Sequence, residues 1–182
     1  MQTIEIRKQL CNRITQIRKE YDSGNPKKGM SQTTLAKRLG VPQPSIAYIE
    51  KGEHSPYLDK LLQLLQQLNY TVIVAPDFSA TATSDSSAGA SHANGDYVAD
   101  LSHIGFKAQR RHICRRIAQL RKEKGMQQME LERIAGVTRG YLSEIEAGRY
   151  SPKLDILIAL LQPLGYTIDF VPIVSAKPTN QN

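Results

Sequence analysis

The sequence predicts a mainly α protein made of one small domain written twice, each copy having about four helices followed by a short β-strand. Three observations lead there. Gly29–Pro76 aligns with Gly125–Pro172 at a constant offset of 96 without a gap, and 21 of the 48 positions are identical. Each copy carries apolar residues at helical spacing, punctuated by glycine, and ends in a β-branched and aromatic run, YTVIV or YTIDFV. Between the copies lies DFSATATSDSSAGASHANGD, rich in Ser, Ala, Thr and Gly, which has the composition of a flexible tether. The domains are therefore expected at residues 1–76 and 103–174, with a flexible linker at 77–102 and a loose tail at 175–182.

Each element has its own signal. Upstream of Gly29 the offset becomes 103, pairing Cys11 with Cys114, Ile14 with Ile117, and Arg18-Lys19-Glu20 with Arg121-Lys122-Glu123. The change of offset is one insertion, Asp22–Lys28 in the first copy, expected in a surface loop. In the second copy Ile113, Ile117 and Leu120 place a first helix over His112–Lys124, ended by Gly125. A second follows over Gln127–Ala135, with Leu131 and Ile134 inward, and Gly136 permits a tight turn. Thr138 is the expected N-cap of a third, Arg139–Glu146, which Gly148 ends. Pro152 is expected in the first turn of a fourth, where its missing N–H does no harm. That helix carries Leu154, Leu157, Ile158, Leu161 and Leu164. Tyr166–Val171 then reads as a strand, as Tyr70–Val74 does in the first copy.

Charge is unevenly placed. Net charge is +7 with a pI near 9.5. Residues 1–76 carry 11 Lys/Arg against 6 Asp/Glu, and residues 103–174 carry 12 against 7. Residues 77–102 carry four Asp and no basic residue. Two basic bodies on an acidic tether suit a polyanionic partner. There is no signal-peptide core at the N-terminus and no apolar run of the ~18–20 residues a membrane helix needs, so the expected location is the cytoplasm, at the nucleoid. Two cysteines without close spacing give neither a disulfide framework nor a zinc pattern.

Two short helices joined by a glycine turn and packed on flanking helices make a helix-turn-helix arrangement. Its third helix can enter the major groove by its N-terminal end, while the second offers N–H groups to phosphate. The runs QTTLAKRLGVPQPSIAYIEKGEHSPYLDKLLQLLQQL and QMELERIAGVTRGYLSEIEAGRYSPKLDILIALLQPLG resemble the Cro/phage-repressor (Xre-type) helix-turn-helix family, with its lambda-repressor-like domain. Leu35, Gly40, Val41, Ile46, Ile49, Glu50, Gly52 and Pro56 carry the likeness, with their partners 96 positions on. The closing strand is similar to that of Hip-type antitoxins, where strands of two protomers pair.

The resemblance implies that the front of the third helix reads bases. Those positions are Gln43, Pro44, Ser45 and Tyr48 in the first copy, and Arg139, Gly140, Tyr141 and Glu144 in the second. They differ most between copies, while Ile46/Leu142 and Ile49/Ile145 behind them hardly change. Pro42 and Pro44 fit because both fall at or before the first turn. Gln43 suits adenine and Arg139 suits guanine, so the two domains are expected to read different half-sites of an imperfect palindrome. The resemblance places Gln32 and Gln128 on phosphate and pairs Glu50 with Arg18 and Glu146 with Arg121. Lys37, Arg133 and Arg149 are candidate backbone contacts.

Nothing in the sequence points to an enzyme, cofactor or metal. Cys11 and Cys114 read as buried small hydrophobes. His54, His92, His103 and His112 have no ligand spacing. Ser45 and Ser143 have no base nearby in sequence, and there is no glycine-rich phosphate loop. The expected function is a sequence-specific DNA-binding transcriptional regulator, a repressor, with double-stranded DNA as its partner. The alternative is an antitoxin that binds a toxin protein and represses its own operon. The linker of 26 residues has an r.m.s. span of roughly 25–30 Å, comparable with the ~34 Å between half-sites. Thr71–Val74 and Thr167–Val171 are expected to form an antiparallel ribbon. They can do so within one chain, as a monomeric pseudo-dimer, or between chains, as a homodimer.

Overall fold

The computed structural model describes residues 2–21, 29–77 and 105–173. The Asp22–Lys28 insertion, the expected linker beyond Asp77, His92, His103 and the tail lie outside the described residues. In the first repeat α1 (Gln2–Glu20), α2 (Gln32–Leu39), α3 (Gln43–Glu50) and α4 (Leu58–Gln66) precede β1 (Tyr70–Pro76). The second repeats the order with α5 (Phe106–Glu123), α6 (Gln128–Ala135), α7 (Tyr141–Glu146), α8 (Leu154–Leu161) and β2 (Tyr166–Pro172), a 3-10 turn over Gln162–Leu164 joining the last two.

The helical spacing of apolar residues decides which faces go inside. α1 buries Leu10, Cys11, Ile14, Ile17 and Arg18, and α5 buries the matching Ile113, Cys114, Ile117, Leu120 and Arg121. α5 begins at Phe106, ahead of the expected His112, and the reason is chemical. Over its first two turns only Phe106 packs an apolar side chain on the core, and the next inward side chains are polar: Gln109 is 3% exposed, and Arg110 reaches the Gly148 carbonyl and the Asp59 carboxylate. Burial by another part of the chain leaves no apolar periodicity to read.

Three further expectations are corrected. Ile134 is exposed, because Leu131 and Glu132 take the inward arc of the eight-residue α6. The third helix of the second repeat starts at Tyr141, with left-handed Gly140 (φ 80°) as its N-cap in place of Thr138. Thr138 instead closes a backbone turn, its carbonyl accepting from the Tyr141 N–H at 3.0 Å. Pro152 stands one residue before the α8 N-cap, Lys153, so it lies outside that helix.

The repeats meet along a pseudo-two-fold axis, and most polar contacts across it are returned; Arg13, which reaches the Phe170 carbonyl at 3.0 Å and Asp169 at 3.5 Å, is an exception. β1 and β2 pair antiparallel from Tyr70↔Pro172 to Pro76↔Tyr166, with the equivalent residues Ile73 and Asp169 facing each other at the centre. A second equivalent pair, Tyr57 and Lys153, forms an isolated bridge, with the Lys153 ammonium 5.5 Å from the Tyr57 ring centre. The Leu58 N–H donates to the Pro152 carbonyl and the Leu154 N–H to the Pro56 carbonyl, both at 2.8 Å. The next N–H groups of α4 and α8, at Asp59 and Asp155, donate to the hydroxyls of Ser151 and Ser55, both at 3.0 Å. Each fourth helix is thus capped by the other repeat, satisfying N–H groups that a helix start leaves open.

Charge and apolar contacts follow the same exchange. Arg7 donates to Asp155 at 2.5 Å, and Arg110 donates to Asp59. α1 packs on α8 and α4 on α5. Val72, Ile168 and Phe170 of the ribbon join Leu, Ile and Cys side chains of both repeats in a single hydrophobic cluster. The antiparallel ribbon expected from sequence is formed by β1 and β2.

Candidate nucleic-acid interface

α2 and α3 form the first helix pair. The Ser31 hydroxyl caps α2 by accepting the Thr34 N–H at 3.0 Å. Gly40, left-handed at φ 62°, ends it, and the Val41 N–H returns to the Ala36 carbonyl at 3.0 Å. That residue without a side-chain penalty lets the chain reverse within the turn and start α3 at once. Pro42 is the N-cap of α3 and Pro44 lies in its first turn. Both proline nitrogens fall where a helix needs no donor. Ile46 and Ile49 anchor α3 in the core, while Pro44 and Tyr48 are exposed and Gln43 and Ser45 partly so.

Below the surface a chain of polar contacts runs from α1 to the front of α3. Arg18 grips Glu50 with Nε at 2.5 Å and Nη2 at 2.8 Å, and its Nη1 donates to the Met30 carbonyl at 2.7 Å. Gln32 donates at 2.7 Å to Oε2 of the same carboxylate, the oxygen that Arg18 Nη2 also reaches. Gln43 donates to the side-chain amide oxygen of Gln32, Oε1, at 2.7 Å. Burial alone would raise the Glu50 carboxyl, but hydrogen bonds from Arg18 and Gln32 outweigh it and hold the group below its ordinary value.

The second repeat builds the same foundation and then departs from it. Arg121 grips Glu146 at 2.7 and 2.9 Å and donates to the Met126 carbonyl at 2.7 Å. The hydrogen bond to Glu146 raises the Arg121 pKa. Gln128 donates to Glu146 at 2.7 Å. Where the first repeat continues to Gln43, the second has Arg139, exposed in the turn before α7 beside Gly140. Tyr141 opens α7, with its ring 5.9 Å from Tyr150. Glu144 lies further along α7, and its carboxylate receives Nε and Nη2 of Arg149, both at 2.6 Å. Lys37 and Arg133 are exposed on α2 and α6.

Sequence reasoning missed Glu132. It is 5% exposed, and its Oε1 accepts the Leu142 N–H at 3.2 Å. Gly140 has no side chain to cap α7, so a carboxylate of the preceding helix does it. The signal was the repeat alignment itself, since the matching residue is the buried Ala36. An alanine exchanged for a glutamate at an inward position needs a partner.

Among the described residues no group of His, Cys, Asp and Glu could hold a metal ion, and no helix is long and apolar enough to cross a membrane.

A family model described as helix-turn-helix matches residues 25–73 and, again, 117–171. An HTH-type transcriptional regulator of Haemophilus influenzae is 40% identical over 53 residues, which are 29% of this chain and 54% of that protein. One of Sinorhizobium fredii is 38% identical over 72 residues, 40% of this chain and 88% of that protein. The immunity repressor protein of Bacillus phage phi105 is 37% identical over 59 residues, 32% of this chain and 41% of the repressor. The chain thus spans about half the length of the first of these relatives. No solved structure matches.

Proposed function

This chain belongs to the helix-turn-helix family, with two domains in tandem, and from that premise we propose that it is a sequence-specific DNA-binding repressor of transcription. It acts as a single-chain pseudo-dimer on an imperfect palindrome. Its reading side chains are Gln43, Pro44, Ser45 and Tyr48 in the first repeat. In the second they lie at the front of α7, at Arg139, Gly140 and Tyr141, with Glu144 further along the helix holding Arg149. Gln32 and Gln128 hold phosphate beside them, each keeping a second amide N–H beyond the one given to Glu50 or Glu146.

The observation that carries this reading is the reciprocity of the contacts across the pseudo-two-fold axis. A two-fold protein suits a two-fold operator. Here the axis relates unlike reading residues, which fits half-sites that are similar and not identical. The transcriptional regulators and the phage repressor among the relatives support the same class. The antitoxin alternative leaned on the C-terminal strand. That strand is paired inside the chain, so it supplies no argument for a toxin partner.

A footprint on the DNA upstream of the protein's own gene, at two salt concentrations, tests the proposal. Protection of two half-sites by one chain, weakened as salt rises, is expected. Protection of four half-sites, together with a ~40 kDa species in light scattering against the chain's 20.3 kDa, would replace the pseudo-dimer with a homodimer. No protection at low salt would reject repression of its own gene.

A further inference from the structure

Behind both third helices the backbone is folded in one way. The Glu144 carbonyl accepts the N–H groups of Arg149 and Tyr150 at 3.0 and 3.4 Å, and the Tyr48 carbonyl accepts those of Glu53 and His54 at 3.1 and 3.4 Å. On this shared frame the side chains carry opposite chemistry. In the second repeat Arg149 and Glu144 form a two-pronged fork. In the first, the Tyr48 ring lies 4.9 Å from the His54 ring and Glu53 faces Lys51 at 3.9 Å.

The geometry of the fork decides what Arg149 has left to offer. Glu144 takes the side edge of the guanidinium, Nε and one N–H of Nη2. The end edge, made by Nη1 and the second N–H of Nη2, is turned away from Glu144, and the Arg149 side chain is 62% exposed. That end edge still presents two parallel donors, which match O6 and N7 of guanine. An exposed ion pair adds little stability, so the fork's effect lies in orientation: it removes rotamer freedom before binding. The Arg149 hydrogen bond holds the Glu144 carboxyl below its ordinary value, so the fork is charged at neutral pH. In the first repeat the equivalent Glu53 is an acceptor and cannot pair with the two acceptors of guanine.

We infer that Arg149 is a guanine-reading side chain of the second repeat, that Glu144 is its positioning residue, and that one half-site therefore carries a guanine the other lacks. The inference rests on the DNA-binding reading above and names specificity determinants within it.

Selection of duplexes from a randomised pool by the full chain tests it, using wild type, Arg149→Ala, Arg149→Lys and Glu144→Gln. Circular dichroism and urea midpoints verify that each variant folds. Wild type is expected to enrich guanine at one position of one half-site. Arg149→Ala should remove that enrichment, roughly tenfold or more, and leave other positions unchanged. Arg149→Lys should not restore it. Glu144→Gln should relax preference at the same position alone. A uniform loss for every duplex with Arg149→Ala, with a salt slope about one unit shallower, would make Arg149 a phosphate contact and overturn the inference. Unchanged preference in Glu144→Gln would overturn the positioning role. Wild type enriching a sequence elsewhere but no such guanine would sink the inference alone. Wild type enriching nothing would sink the DNA-binding reading with it.

Discussion

Arg7 of the first repeat donates to Asp155 of the second at 2.5 Å while its Nε holds the Gly52 carbonyl of its own repeat at 3.1 Å. Arg110 does the same in return, to Asp59 and Gly148. Each arginine ties the start of the other repeat's fourth helix to the loop behind its own third helix. The strength of the interface and the placement of the third helices are therefore linked through two side chains.

Arg7→Ala should destabilise the protein by about 2 kcal/mol, the scale of a charge-assisted hydrogen bond in a partly buried site. Urea unfolding followed by circular dichroism measures it. Lys51→Ala is the control. Its partner Glu53 is 3.9 Å away and both side chains are more than half exposed, so a change within about 0.5 kcal/mol is expected. Equal effects from the two would deny Arg7 a special place.

Ser151→Ala removes the cap of α4 although Ser151 lies in the other repeat. A loss of about 1 kcal/mol is expected, as for an ordinary N-cap. Ser55→Ala should match it at α8. Hydrogen exchange at Asp59 in Ser151→Ala, and at Asp155 in Ser55→Ala, should quicken most. An effect confined to the mutated repeat would contradict the exchange of caps.

Glu50 links stability to pH. Its folded pKa is depressed from 4.5, so its contribution is complete above the ordinary carboxylate range and is lost as pH falls below about 4.5 through the folded value. Wild type should lose urea resistance on going from pH 6 to pH 3. Glu50→Gln should be weaker by about 3–5 kcal/mol at neutral pH, because Arg18 is left buried without its partner, and should lose less on acidification. A variant with the wild-type pH dependence would show that other carboxylates govern it.

The two cysteines are reporters of the interface. Burial pushes the Cys11 thiol up to about 11 and the Cys114 thiol up to about 12, against a smaller opposing pull from Arg7 and Arg110. At pH 8 neither should react with a thiol reagent over minutes while the protein is folded, and both should react once urea unfolds it. Because one core joins the repeats, the two should become reactive at the same urea concentration. Separate midpoints would mean that the repeats unfold independently.

The repeat made much of the fold legible. An alignment without a gap gave two domains, glycines at Gly40 and Gly136 marked the turns, and β-branched runs marked the strands. What stayed hidden was what one repeat does for the other. The front of α5 was invisible because, after Phe106, its inward residues are the buried Gln109 and the half-buried Arg110, held by hydrogen bonds and charge, which break the apolar period. Ser55 and Ser151 read as loop residues, since nothing local shows that their hydroxyls cap a distant helix. At the candidate site, the residues at the front of the third helices could be listed from sequence. The Glu144–Arg149 fork and the Gln43–Gln32 contact could not, because both depend on rotamers.

An axis of exact symmetry obliges a residue lying on it to face its own copy. Lysine would face lysine and aspartate would face aspartate, each repelling itself. In this chain Tyr57 faces Lys153 and Ile73 faces Asp169, pairings that a symmetric dimer of either half could not make. The second half is therefore mismatched to itself, and the uncharged Tyr57 and Ile73 of the first relieve that mismatch. A second copy of the second half would bring like charges together at both positions, which the first half does not. Covalent linkage here gives fidelity of assembly as well as proximity.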